Sequence, residues 1–367
     1  MTRLHQLFDD HGQSPWIDNL SRSMVRGGRL AQLVDQGIRG VTSNPTIFAK
    51  AISAGSDYDA AFAGLLGDGV TVEDAYWDMV VSDITEAMAV LAPVHRASNG
   101  ADGFVSLEVG PALAHDSDAT VEAARALDDR IDGANLFVKV PATAEGVVAV
   151  RRLAADGRSI NITLIFSLDR YDAVIEAYLA GLEEHRGDLS GIASVASFFV
   201  SRVDTEVDRR LDAIGTDAAL ALRGRAAVAQ ARLAYALFVE RFSGPRWAAL
   251  AARGARCQRP LWASTSTKNP AYPDLLYVDG LIGPDTVNTL PDATVDAFVD
   301  HGTLARTVDA DLDGARRTLA ALSEVGVDMD DVASTLEREG VDSFAKSFDD
   351  LLEALAAKTA ALKPAGH

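Results

Sequence analysis

Cysteine is almost absent. Cys257 is the single one in 367 residues, so no intramolecular disulfide can form and thiolate-rich metal centres are excluded. That usage fits a reducing cytosol. Histidine is sparse as well: none of His5, His11, His95, His115, His185, His301 and His367 stands at a ligand spacing such as i, i+4 from another, which leaves a histidine-based zinc site little support. Long apolar runs are missing. Nowhere do 18 apolar residues follow one another, and residues 1–16 interleave Asp9, Asp10, His11 and Gln13 with apolar positions, without the apolar core of a secretory signal. The expectation is a soluble, cytoplasmic protein with no membrane partner. Basic residues are in deficit, 34 Lys+Arg against 53 Asp+Glu, and the net charge of −19 repels nucleic acid and anionic membranes at long range. Any anionic substrate therefore needs a local basic pocket. No G-x-S-x-G elbow, phosphate-binding P-loop or G-x-G-x-x-G turn is present, and Gly27-Gly28 lacks the spacing of a dinucleotide site. The simplest hydrolase and nucleotide-binding readings fall away.

What the chain does have is the composition of a globular protein, 48% hydrophobic and 24% charged with a mean hydropathy of +0.06. From residue 103 to 266 short apolar runs alternate with longer amphipathic stretches, the pattern of β/α units. The strand-like runs are residues 104–109, 135–140, 160–166, 192–200 and 260–264, and most are continuously apolar, as strands buried on both faces are. Residues 119–129, 144–155, 170–184 and 218–242 read as helices, several preceded by capping Asp, Ser or Thr. Residues 16–20 and 40–43 before this block, and 286–290 after it, raise the strand count to eight. Eight suggests closure. The expectation is an α/β fold, a (β/α)8 barrel forming one domain over residues 1–367, with added helices within 45–91 and three more between 295 and 362.

Three charges interrupt apolar strands. Lys139 lies in Asn135-Leu136-Phe137-Val138-Lys139-Val140-Pro141, on one face with Asn135 and Phe137. An inward lysine near a barrel strand's end is desolvated, which favours the neutral amine that attacks ketones to form a Schiff base. A lysine snorkelling to the rim of an ordinary strand would leave the same pattern. Glu108 in Val105-Ser106-Leu107-Glu108-Val109 and Asp18 in Trp16-Ile17-Asp18-Asn19-Leu20 are the other two. On a barrel the carboxyl ends of strands converge on one mouth, so an amine nucleophile with two carboxylates as proton shuttles is geometrically reasonable. Each carboxylate taken alone also reads as a helix cap or an ion-pair partner.

Asn44, in Thr42-Ser43-Asn44-Pro45, could hold a polyol hydroxyl or simply form a turn, since Asn-Pro is a strong turn dipeptide. Asn161 and Thr163 lie inside an apolar strand and need buried partners. Ser197-Phe198-Phe199-Val200-Ser201-Arg202 and Ser264-Thr265-Ser266-Thr267-Lys268-Asn269 each end a strand with hydroxyls and one cation, and together could bind phosphate. Arg202 could equally pair with Asp204 or Glu206.

Together these segments resemble the transaldolase family over residues 18–291. Gly40-Val41-Thr42-Ser43-Asn44-Pro45-Thr46-Ile47-Phe48 resembles its first signature, and Asn135-Leu136-Phe137-Val138-Lys139-Val140-Pro141-Ala142-Thr143 the segment with its Schiff-base lysine. Asn161-Ile162-Thr163-Leu164-Ile165-Phe166-Ser167, residues 197–202 and residues 262–269 follow in the family's order. The resemblance implies a (β/α)8 barrel with Lys139 on the fourth strand. It also implies transfer of a dihydroxyacetone unit from sedoheptulose 7-phosphate to glyceraldehyde 3-phosphate, yielding erythrose 4-phosphate and fructose 6-phosphate in the non-oxidative pentose phosphate pathway. No metal or organic cofactor is implied, and the partners are small sugar phosphates, with monomer or homodimer both open.

Carried over by position, Lys139 forms the imine and Asp18 removes the hydroxyl proton that triggers cleavage. Glu108, with Thr163, shuttles protons through a water. Asn44 and Asn161 hold hydroxyls of the three-carbon piece, Ser197, Thr42 and Phe199 line its pocket, and Arg202, Ser266 and Lys268 bind phosphate. The chain departs from the family at Lys268, where many relatives have arginine; a lysine offers a point charge instead of a planar fork. The long loop before Pro260 and the helices after Leu290 place it in a long-chain bacterial subgroup. Two rivals remain at this level. One is a lysine-dependent aldolase of the same fold that releases dihydroxyacetone, and the other a silent barrel that binds sugar phosphates without turning them over.

Overall fold

The eight apolar runs form eight short parallel strands in the computed structural model, which describes residues 1–53 and 55–362; His367 and Ala54 lie outside the described residues. The strands are β1 (Gln13–Ile17), β2 (Val41–Thr42), β3 (Val105–Glu108), β4 (Leu136–Pro141), β5 (Ile160–Ile165), β6 (Ser194–Phe199), β7 (Gln258–Ala263) and β8 (Thr286–Leu290). They pair in chain order, and β1 closes on β8 from Gln13↔Thr286 to Ile17↔Leu290, giving a closed (β/α)8 barrel. Nearly every strand residue is buried, because the barrel interior covers one face and the helical ring the other. Helices follow the amphipathic stretches, with side-chain caps at Asp116, Thr143 and Ser167 opening Ser117–Ile131, Ala144–Ala155 and Leu168–Glu184.

The lower half of the barrel is a packed core. Phe137 stacks on Phe104 with centroids 3.9 Å apart and lies 6.1 Å from Trp16. Beneath them Asp102 is buried and fully used: it accepts from Trp16 Nε1 (2.9 Å), Arg39 Nε (2.8 Å) and Ser14 Oγ, with Arg259 3.5 Å away. This network joins the starts of β1, β2, β3 and β7, at the end of the barrel opposite the strands' carboxyl termini.

Three local expectations need correction. The stretch read as one helix at 218–242 is two, Asp217–Leu220 and Ala226–Arg241. Gly224 breaks it with φ +68, donates its N–H to Asp208 Oδ1 (2.9 Å) and lies so close to the Tyr272 ring that a Cβ would come within 2.8 Å. β1 ends at Ile17, so Asp18 lies just past the strand. β5 is not continuous: its register against β6 shifts between Ile162 and Ile165, where Leu164 adopts φ +62, a conformation a leucine takes only under constraint. The alternation of the sequence carries no mark of that bulge.

The additions flank the barrel. Pro45–Ser53, Asp59–Gly67 and the long Val72–Ala97 follow β2, and Asp292–His301, Leu312–Glu324 and Met329–Leu362 follow β8. The last of these crosses the mouth formed by the strands' carboxyl ends. No described helix is long and apolar enough to cross a membrane.

The Asp102 network should matter for stability alone. Asp102→Ala leaves two guanidinium groups and an indole N–H without their buried acceptor, and should cost about 3–5 kcal/mol in denaturant unfolding while leaving the mouth of the barrel intact. A midpoint within error of the unmodified protein would show that the arginines find other acceptors.

Candidate active site

Register sets the chemistry of this barrel. β3 and β4 pair Glu108 with Lys139 directly, and since both side chains point inward, amine and carboxylate meet at the strands' carboxyl ends. Lys139 Nζ lies 3.1 Å from Glu108 Oε2 and donates to the Ser43 carbonyl at 3.3 Å. Lys139 is 5% exposed and Glu108 6%. A buried carboxylate loses its hydration, so burial pushes the Glu108 carboxyl above its ordinary range, opposed by the charge and hydrogen bond of Lys139 and the charge of Arg202. The snorkelling alternative for Lys139 is not what the fold adopts.

Above the pair opens a cleft of about 120 Å³. Ten of the twelve residues singled out from the sequence line it: Asp18, Thr42, Asn44, Lys139, Thr163, Ser197, Phe199, Arg202, Ser266 and Lys268. The other two sit beneath. Glu108 is reached through Lys139, and Asn161, fully buried one strand over, donates Nδ2–H to Ser106 Oγ (3.0 Å) and accepts from Ser197 Oγ at 2.7 Å. Asn161 thus reaches the cleft through the Ser197 hydroxyl.

Asp18 follows β1, its backbone N–H bonded to the Leu290 carbonyl (2.9 Å). Burial raises its carboxyl pKa, against the lowering charges of Lys139, Lys268, Arg202 and Lys50. Thr163 precedes the β5 bulge, and its buried Oγ1 has no hydrogen-bond partner among the described residues, which leaves a polar atom facing the cleft for a water or ligand. Asn44 has a structural bond and also faces the cleft. Its Oδ1 caps Pro45–Ser53 by accepting from Ile47 N (3.0 Å), and the residue also lines the cleft.

The outer end is cationic. Arg202 sits in the first turn of Ser201–Ile214 and pairs with neither nearby carboxylate: Glu206 is held by Arg209 and Arg210 (2.7 Å each), and Asp204 accepts from Ala227 N (2.8 Å) and the Tyr277 hydroxyl (3.0 Å). Its guanidinium lies instead over Phe199, 5.0 Å from the ring centroid. Burial lowers the Arg202 pKa from its ordinary value, and the charges of Asp18 and Glu108 oppose this. Lys268 Nζ donates to Ser266 Oγ at 2.6 Å, and Ser264, at φ +57, turns the chain after β7 so that both face Arg202's end of the cleft. The floor therefore offers an amine and two carboxylates, the walls hydroxyls, and the far end two cations for an anion.

Sequence reasoning missed three contributors. Ser106 orients Asn161, and the Ser43 carbonyl holds Lys139; both stood inside quoted motifs, where one serine among apolar residues carries no role by itself. Phe344 enters the cleft from Met329–Leu362, and a phenylalanine in an amphipathic helix gives no sign that it faces a polar site.

A model of the family Transaldolase/Fructose-6-phosphate aldolase matches residues 15–355. The chain is similar to the protein named Transaldolase in Thermobifida fusca, 54% identical over 361 residues that cover 97% of this chain and 98% of the relative. It is also similar to the Transaldolase of Frankia alni, 52% identical with 94% of both chains covered, and to Transaldolase 2 of Streptomyces coelicolor, 49% identical with 99% of both covered.

The raised pKa of Asp18 fixes the sign of a stability effect. The folded protein keeps this proton to higher pH than the unfolded chain, so the stability linked to it is full below about 3.8 and is lost as pH rises through the folded-state value. Asp18→Asn should flatten that decline and raise the denaturant midpoint at neutral pH. A variant no more stable than the parent there would overturn the burial argument.

Proposed function

The chain belongs to the transaldolase/fructose-6-phosphate aldolase family, and on that premise we propose that it transfers a dihydroxyacetone unit from sedoheptulose 7-phosphate to glyceraldehyde 3-phosphate, giving erythrose 4-phosphate and fructose 6-phosphate. The observation that carries the reading is the buried Lys139–Glu108 pair at the floor of a cleft whose other end is cationic. Transfer of a proton from Lys139 to Glu108 across 3.1 Å frees the amine to attack the donor's keto carbon. Glu108, with a water held at the unpartnered Thr163 hydroxyl, then carries the protons that let water leave as the imine forms and return as it is hydrolysed. The imine nitrogen, once protonated, is the electron sink for carbon–carbon cleavage.

Asp18 takes the hydroxyl proton that starts cleavage and gives it back when the acceptor's aldehyde carbon is attacked. A carboxyl raised by burial suits that exchange, since its pKa moves toward working pH. Asn44 and Ser197, the latter set by Asn161, orient the hydroxyls of the bound three-carbon unit, and Thr42 and Phe199 complete its walls. Arg202, Ser266 and Lys268 hold the phosphate, as an acidic protein working on dianions requires. The reaction belongs to the non-oxidative pentose phosphate pathway, and the lone Cys257 suits a cytoplasmic setting.

Borohydride reduction in the presence of fructose 6-phosphate should leave a three-carbon adduct on Lys139, found by intact mass and peptide mapping. Lys139→Ala should give folded protein with no adduct and no turnover, and residual activity at parental level would sink the mechanism. Asp18→Ala should slow cleavage by about 10²–10⁴-fold, while Glu108→Ala should chiefly slow imine formation and hydrolysis. Single-turnover kinetics with those two defects exchanged would reverse the assigned roles. Turnover equal with and without an aldehyde acceptor would assign the protein to the aldolases of the family instead.

A further inference from the structure

Phe344 reaches the catalytic cleft from outside the barrel. It stands on the C-terminal helix Met329–Leu362, is 5% exposed, and puts an apolar ring into a cleft otherwise walled largely by polar side chains. Its ring centroid lies 5.8 Å from Lys139 Nζ and 6.0 Å from the Arg202 guanidinium carbon, so the ring covers the space between the amine and the cationic end.

The helix that carries it is fixed along its length. Arg210 pairs with Asp331 (2.6 Å), Arg170 with Glu337 (3.2 Å) and Lys358 with Asp59 (2.6 Å), and Thr46 Oγ1 donates to Ser347 Oγ at 2.8 Å. Gly340, Phe344 and Phe348 stand at four-residue intervals and so share the helix face turned to the barrel. At Gly340 a Cβ would come 2.9 Å from Leu164 Cδ2, which lets the helix settle on the β5 bulge, and Phe348 packs edge-on against Tyr76 with centroids 5.4 Å apart. Gly340 and Phe348 are accounted for by packing. Phe344, between them, faces the reacting groups.

We propose that Phe344 sets the partition between transfer of the three-carbon unit and its release as free dihydroxyacetone; this rests on the Schiff-base reading above. After cleavage the unit remains on Lys139 as an enamine. In transfer, its nucleophilic carbon bonds to the acceptor's aldehyde carbon and the new alkoxide takes the proton held by Asp18. In release, the same carbon takes a proton instead, water adds to the resulting iminium carbon, the C–N bond breaks and the amine is restored, the one water consumed balancing the one expelled when the imine formed. The committing step is protonation of carbon. A phenyl ring over the amine occupies the volume from which water would deliver that proton, and it has no proton of its own to give.

The test compares the unmodified enzyme with Phe344→Ala and Phe344→Leu, using fructose 6-phosphate with and without erythrose 4-phosphate, and measures free dihydroxyacetone and sedoheptulose 7-phosphate. The ratio of release to transfer should rise about ten-fold in Phe344→Ala and less in Phe344→Leu, which keeps most of the volume. A loss of folded protein lowers both products together and leaves their ratio unmoved, so the ratio separates this role from a structural one. An unchanged ratio in both variants, with the borohydride adduct on Lys139 still formed, would overturn the inference and leave the Schiff-base reading standing. Absence of the adduct in the unmodified enzyme would overturn the Schiff-base reading, and this inference with it.

Discussion

The contact between Lys139 and Glu108 is the constraint around which the upper barrel is arranged. Two ionisable groups, each less than a tenth exposed, are forced together by the register of β3 against β4. Such a pair gains little net stability, since desolvation offsets most of the attraction, and an apolar pair of similar volume would pack as well. A carboxyl raised by burial beside an amine exchanges a proton at small cost. Asp18, one side round the barrel, lies in the field of the same lysine, and Asn161 lies opposite Lys139 in the β4–β5 register.

The same logic explains how a chain of net charge −19 can admit a dianion. Most described arginines on the outside are matched with carboxylates, as in Arg246 with Glu176 and Glu183 or Arg158 with Asp128 and Asp129. Arg202 is not, because Glu206 and Asp204, the carboxylates nearest in sequence, are held elsewhere. Those two bonds keep one guanidinium available at the mouth. Lys268, which donates to Ser266, adds a point charge at the same end in place of a planar fork.

Most of the eight strands were legible because they are short apolar runs, and runs buried on both faces leave few other readings; β1 was placed three residues late because the polar Gln13 and Ser14 open it. Glu108 and Lys139 were legible for the same reason, as charges inside apolar strands, whereas Asp18 stood out as a charge beside Trp16 and Ile17 although it lies just past β1. What escaped depends on contacts remote in sequence. The β5 bulge at Leu164 is settled by the helix laid over it at Gly340, and Phe344 meets Lys139 across more than 200 residues of chain. The break at Gly224 was hidden by alanine-rich flanks that favour helix on either side, while Asp208 and Tyr272 decide the turn. Asn161 was placed correctly on its strand, yet its link to the cleft through Ser197 follows from the pairing of two strands and not from either alone.

The closure of β1 on β8 also bears on how the protein is made. Gln13 pairs with Thr286, so the first strand leaves the ribosome about 270 residues before its partner, an interval of tens of seconds at ordinary elongation rates. Throughout it, a row of unpaired backbone groups on β1 must avoid other nascent strands. β1 is brief, only five residues, so the edge that waits for β8 is short. The shortness of the first strand thereby limits what the chain exposes during the long wait for its last partner.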